Sequence, residues 1–171
     1  MGWESSFFSH QRGLKAGKGF MELNVLVSNP MLVGCIELMK ADNSTEHRDL
    51  FLKELMNAKL MCPVKISPAP EMGEDGKYKL TQENKVQFPM LGGRDGKKFF
   101  MAFTDKMEYE KLKKEEGTAF AALVLDEYAG MVLRKDAQAE GVVLNPLGAN
   151  IVLPKEMLGA LMAQKLASLK K

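Results

Sequence analysis

The chain has 171 residues, 46% hydrophobic and 27% charged, and 24 basic residues nearly cancel 22 acidic ones to leave a net charge of +2. That length suits one domain burying roughly two-thirds of its unfolded surface, and the charge balance excludes the lopsided cationic footprint of a nucleic-acid binder. No run reaches the ~18 apolar residues of a membrane span, and two cysteines (Cys35 and Cys62) without CxxC spacing make neither a disulfide framework nor a zinc site, which fits a reducing cytoplasm.

Residues 1–22 differ from the rest. They carry Gly13, Gly17 and Gly19, no acid between Glu4 and Glu22, and no helical or strand period, so a poorly ordered tail is expected. Their Met-Gly-x-x-x-Ser start is too loose to assign a lipid anchor. Gly17-Lys18-Gly19-Phe20 also demands purine-rich codons directly before Met21, as a ribosome-binding site read in frame would. Met21 is therefore an expected alternative to Met1 as the start, which would make the tail non-native, and residues 23–171 are expected to be a single domain.

Asn29-Pro30 opens a first helix, with the Asn side-chain oxygen expected to accept from orphan amides and Pro preorganised for the first helical position. Met31, Leu32, Cys35, Ile36 and Met39 follow at helical spacing. A second helix starts at Ser44 or Thr45, buries Phe51, Leu52, Leu55 and Met56, and ends near Ala58. Residues 60–66 read as a strand that Pro63, lacking a donor, places at an edge or at its own start. From Ser67 to about Lys85, prolines and glycines punctuate the one long irregular segment, expected to be mobile.

Residues 86–91 and 97–103 are strands around Asp95-Gly96, a strong hairpin signal because the turn needs positive φ where it is tolerated. Thr104 or Asp105 then caps a short helix over 107–114, Asp105 and Glu108 having capping-box spacing, and Gly117 stops it. Residues 118–124 are nearly all apolar, as in a strand covered on both faces. Asp126 is expected to cap a helix carrying Tyr128, Met131 and Val132. Residues 141–144 form a strand ended by Asn145-Pro146, 151–153 follow as another, and Pro154 starts a last helix with Met157, Leu158, Leu161, Met162, Leu166 and Leu169 on one side. The thirteen methionines are read mainly as filler on apolar helix faces. Hairpins interrupt the βαβ rhythm, so the fold class is α+β, a mixed β-sheet with helices packed against it.

The order of these pieces resembles the SseB N-terminal domain family of bacterial enhanced-serine-sensitivity proteins. It runs from Asn29-Pro30-x-Leu32, through Phe51-Leu52-x-x-Leu55-x-x-Ala58-x-Leu60-x-x-Pro63-Val64 and Asp95-Gly96 with Phe103-Thr104-Asp105, to Gly141-Val142-Val143-Leu144-Asn145-Pro146. The resemblance covers about residues 26–160 and implies a cytoplasmic bacterial α/β domain, with a sulfurtransferase as a candidate partner. It carries over no catalytic residue.

Chemistry-bearing groups are few. His10 lies in the tail, and His47 sits among Glu46, Arg48 and Asp49 on what reads as a solvated helix start. Cys35 and Cys62 fall at core positions. Paired acids fall at caps and loops, and no His/Cys/Asp/Glu cluster has metal spacing. The glycines of Gly92-Gly93-Arg94-Asp95-Gly96 lead into a strand rather than a helix, which favours a hairpin over a phosphate loop. The expected binding surface is where strand ends and corners meet: Asn29, Arg94, Phe103, Thr104, Asp105 and Asn145. No catalytic residue, metal or cofactor is expected. Two functions remain: a non-catalytic module, monomer or homodimer, that binds an unidentified protein partner; or a small metabolite-binding regulator or enzyme linked to serine or sulfur metabolism, with a pocket rimmed by Arg94, Asp105 and Asn145. Neither needs nucleic acid or a membrane.

Overall fold

A three-residue hairpin loop organises the central strands. Gly93 N–H donates to Lys97 O at 2.8 Å, Gly96 N–H returns to Gly93 O at 3.0 Å, and Gly96 takes positive φ, +83°. Asp95 Oδ1 accepts from Lys97 N–H at 3.1 Å, which holds the turn closed. The computed structural model of the chain describes residues 4–9, 26–67, 71–72, 78–79, 84–93, 95–113 and 118–169. In chain order these form β1 (Glu4–Ser9), α1 (Pro30–Ala41), α2 (Thr45–Asn57), β2 (Lys59–Ser67), β3 (Glu71–Met72), β4 (Tyr78–Lys79), β5 (Lys85–Gln87), β6 (Pro89–Gly92) and β7 (Lys98–Ala102). The second half adds α3 (Lys106–Glu110), β8 (Thr118–Val124), α4 (Leu125–Val132), β9 (Ala139–Leu144), β10 (Ile151–Pro154) and α5 (Lys155–Leu169).

The architecture is α+β. A five-stranded mixed sheet has the order β1-β6-β7-β9-β10, its β7–β9 pair parallel and the rest antiparallel. A second, antiparallel sheet has the order β5-β2-β8. An antiparallel bridge joins the two: Met61 and Phe103 exchange N–H···O bonds of 2.8 and 2.9 Å.

Alternation along the inner strands feeds two cores. Phe100 and Ala102 of β7, Val142 and Leu144 of β9, and Leu60, Cys62 and Val64 of β2 pack with the helices α1, α2, α4 and α5. Phe99, Met101, Phe103, Val143 and Met61 face the other way, against Tyr109 and Leu112. Helix α1 buries Leu32, Cys35 and Ile36, and α2 buries Phe51 and Leu55. Ser44 caps α2 by accepting from His47 N–H at 3.2 Å.

Several sequence expectations need correction. Strand β2 is central, not an edge. Pro63 is tolerated because alternate residues bond opposite neighbours: it shares the side of Met61, in the gap between the Phe103 bridge and the short β5 ladder at Lys65–Ser67. Strand β8, like β5, lies at an edge of this sheet, and only Ala121 and Leu123 of it are buried, the other five residues being half-buried rather than covered throughout. Residues 86–91 are not one strand; Phe88 marks the passage from β5 in one sheet to β6 in the other, its ring edge-on to Phe100.

The stretch around Glu4–Ser9, which showed no period, pairs antiparallel with β6, and the irregular segment after Ser67 contains the β3–β4 ladder. Asp126 does not cap α4: Val124 N–H is satisfied by Glu127 Oε1 at 3.1 Å, while Asp126 receives Lys165 of α5 at 2.6 Å. Met31, Leu166 and Leu169 are exposed, so the apolar stripes of α1 and α5 are narrower than their spacing suggested. Helical Met39, Met56, Met131, Met157 and Met162 do pack, half-buried, against the core, while the fully buried Met61, Met90 and Met101 lie on strands. Residues 114–117, with Gly117, lie outside the described residues.

Candidate functional site

Four of the six residues expected at a binding surface meet at one corner. Strand β9 ends at Asn145, which adopts φ +49°, a conformation Asn tolerates better than most residues. That turn points its amide at the end of β7. Asn145 Oδ1 accepts from Thr104 N–H at 3.0 Å, Asn145 Nδ2 donates to Thr104 Oγ1 at 3.1 Å, and Asn145 N–H donates to Ala102 O at 2.8 Å. The Thr104 hydroxyl donates onward to Asp105 Oδ2 at 2.8 Å, and Asp105 Oδ1 caps α3 by accepting from Glu108 N–H at 3.0 Å. Thr104 and Asn145 are buried.

Asn29 joins this corner in an unexpected way. Its side chain makes no helix cap. Nδ2 donates instead to Lys59 O at 2.7 Å and Thr104 O at 2.9 Å, tying the starts of α1 and β2 to the end of β7. Phe103 is not part of the surface: it is fully buried, its ring edge-on to Tyr109 at 5.5 Å. Arg94 lies outside the described residues.

Two concavities flank the corner. A polar cleft of about 130 Å³ is bounded by Glu37, Lys40, Asp105, Glu108, Lys111 and Asn145, among others. Glu108 does not complete a capping box; its Oε1 accepts from Lys111 Nζ at 2.8 Å and its buried Oε2 has no hydrogen-bond partner. A larger groove of about 330 Å³ shares Ile36, Lys40 and Ala149 with the cleft and runs between α1, α2 and β10. Its floor is apolar (Ile36, Met39, Phe51, Leu52, Leu153, Met157), and Lys40 and Arg48 are the charged residues lining it. Sequence reasoning missed Arg48, because an Arg on the polar face of an amphipathic helix carries no distinguishing mark until β10 is laid beside it.

The nucleophile candidates are withdrawn from solvent. Cys62 is fully buried, and burial pushes its thiol up to about 12. Beside it, burial also raises the Tyr128 phenol well above its ordinary value, and that hydroxyl donates to Met101 O at 2.8 Å. Tyr109, likewise raised by burial to about 12, donates to Ala119 O at 3.2 Å. Cys35 is buried in the α1 stripe. His47 Nδ1 lies 2.6 Å from Asp42 O. Among the described residues no group of three or more His, Cys, Asp or Glu could hold a metal ion, and no helix is long and apolar enough to cross a membrane.

Residues 33–160 match the family described as the SseB protein N-terminal domain, a span that contains Thr104, Asp105, Asn145 and every residue of the groove but not Asn29. No curated protein and no solved structure matches the chain. With three-quarters of its length in that match, the chain belongs to the SseB family through this N-terminal domain.

Proposed function

We propose that this chain is a non-catalytic protein-interaction module of a bacterial SseB-like protein, acting in the cytoplasm, with the α1–α2–β10 groove as its docking surface. The groove carries the reading. Its apolar floor of about 330 Å³ opens beside Val152, which is 38% exposed, and beside an Arg48 guanidinium with no ion-pair partner among the described residues. Open apolar concavities with a few polar groups at the rim are where proteins receive partners or ligands. The thiol, phenol and carboxylate groups that could do chemistry serve the core and the caps, which supports binding over turnover. A sulfurtransferase is the partner to try first, on family grounds. The test is a pull-down comparing the native chain with Val152→Lys, an exposed position. A protein retained by the native chain and lost by a variant of unchanged melting temperature supports the module. Identical retained sets remove it.

The polar cleft favours a second reading, a metabolite-binding regulator or enzyme linked to serine or sulfur metabolism. Carboxylates and ammoniums line the same 130 Å³, which matches a small zwitterion such as an amino acid. A thermal-shift screen with amino acids, nucleotides and thiol metabolites decides it, since ligand at ~100 times its dissociation constant stabilises by roughly 2.7 kcal/mol.

A further inference from the structure

The outer wall of the groove is the edge of the main sheet. Strand β10 ends the order β1-β6-β7-β9-β10, and Ile151, Val152 and Leu153 all line the groove. Which of them offers backbone groups follows from the ladder. Asn145 N–H bonds Ala102 O of β7, so Val143 shares that side and Val142 and Leu144 face β10. Their antiparallel partners Leu153 and Ile151 are thereby engaged. Val152, which lines the groove, is left with its N–H and C=O turned away from β9. Pro154, on the same side, has no N–H to give, so the edge offers one complete donor–acceptor pair.

The charge around this pair has one sign. Lys40 and Arg48 are the ionisable residues of the lining, and no acid is among them. The partner of Lys40 is Glu37, at 3.3 Å and outside the groove; Arg48 has none among the described residues.

We propose that the groove takes an extended segment of a partner protein that combines apolar side chains with an acidic one. One of its residues pairs with Val152 through two main-chain bonds, its apolar side chains cover Met39, Phe51 and Leu52, and its carboxylate meets Arg48. This deepens, and rests on, the module reading above. Strand addition supplies affinity through the backbone, and the side-chain pockets with the cation supply selectivity. Pro154 limits the addition to a single bridge, which keeps the same edge from growing into a larger sheet between copies of the chain.

Two neutral-ended peptides test this by titration calorimetry with the full chain: acetyl-Leu-Val-Asp-Val-Leu-amide and its counterpart with Lys for Asp. The native chain is expected to bind the acidic peptide about tenfold tighter. Arg48→Glu, at an exposed position, should reverse that preference without lowering the melting temperature. Val152→Pro, which deletes one donor at a tolerant edge, should weaken both peptides by the same factor. Equal binding of the two peptides, a preference that survives Arg48→Glu, or no binding at millimolar peptide overturns the inference. So does decanoate binding more tightly than the acidic peptide, which would make the groove a small-molecule site, or dimerisation that blocks it. If the peptides fail while Val152→Lys still releases a partner in the pull-down, the segment chemistry is wrong and the module stands. If both fail, the groove is no docking surface.

Discussion

Asn145→Ala should be the most informative single change at the corner. It removes an acceptor from buried Thr104 N–H and a donor from Thr104 Oγ1, and it places a Cβ residue of lower tolerance at φ +49°. An orphaned buried N–H costs about 1–3 kcal/mol. The lost amide–hydroxyl bond adds about 1 kcal/mol, and the left-handed backbone about 1–2 kcal/mol. The expected loss is thus about 3–6 kcal/mol, or roughly 10–20 °C in melting temperature for a chain of this size. Asn145→Gly separates the contributions, because Gly accepts positive φ without strain and should recover about 1 kcal/mol of the loss. Urea and thermal unfolding of both variants provide the measurement. A drop under about 2 °C for the Ala variant would show that the corner bears no weight in the fold and is free to serve a partner. Identical values for Ala and Gly would refute the backbone argument.

Asn29→Asp turns a double donor into an acceptor facing Lys59 O and Thr104 O, and is expected to cost more than Asn29→Ala, by about 1–2 kcal/mol in chemical denaturation. Gly141→Ala should fail to accumulate as folded protein or melt far lower, since the added Cβ would collide with the backbone of Leu153 and Pro154 rather than with a side chain that could yield. Cys62 is expected to resist alkylation at neutral pH until the chain unfolds, because its thiol is buried and held protonated. The same burial gives a sign in pH. With the folded value of Cys62 raised from 9.0 to about 12, and Tyr128 also raised, the folded state binds protons more tightly than the unfolded one. Stability should therefore be unaffected by these groups below pH 9 and fall as pH climbs toward 12, which denaturation midpoints across that range will show.

Local signals were legible where a residue's own backbone chemistry decides the outcome. Ser44, Asp105 and Asp95-Gly96 each bond within three residues of themselves; the turn sits where the sequence placed it, and each cap is one of the two adjacent residues the sequence offered. Asn29 misled because a cap and a long-range tie use the same side chain, and only the arrival of Lys59 and Thr104 turns its nitrogen inward. Pro63 misled because a strand can be central along its length yet locally unpaired on one side. For the site, Thr104, Asp105 and Asn145 were found together through loop and strand-end arguments. The groove was not, since its floor of Ile36, Met39, Phe51 and Leu52 reads as ordinary core until the narrow β10 leaves part of it uncovered.

The ties at Asn29 and Asn145 span 30, 75 and 41 positions of chain. Closing contacts over such separations costs loop entropy before any bond returns it, so the corner is expected to close late in assembly. Lesions there are then expected to leave the refolding rate nearly untouched and to shorten the lifetime of the native state. A partner that clasped this region would act as a brake on escape from the fold.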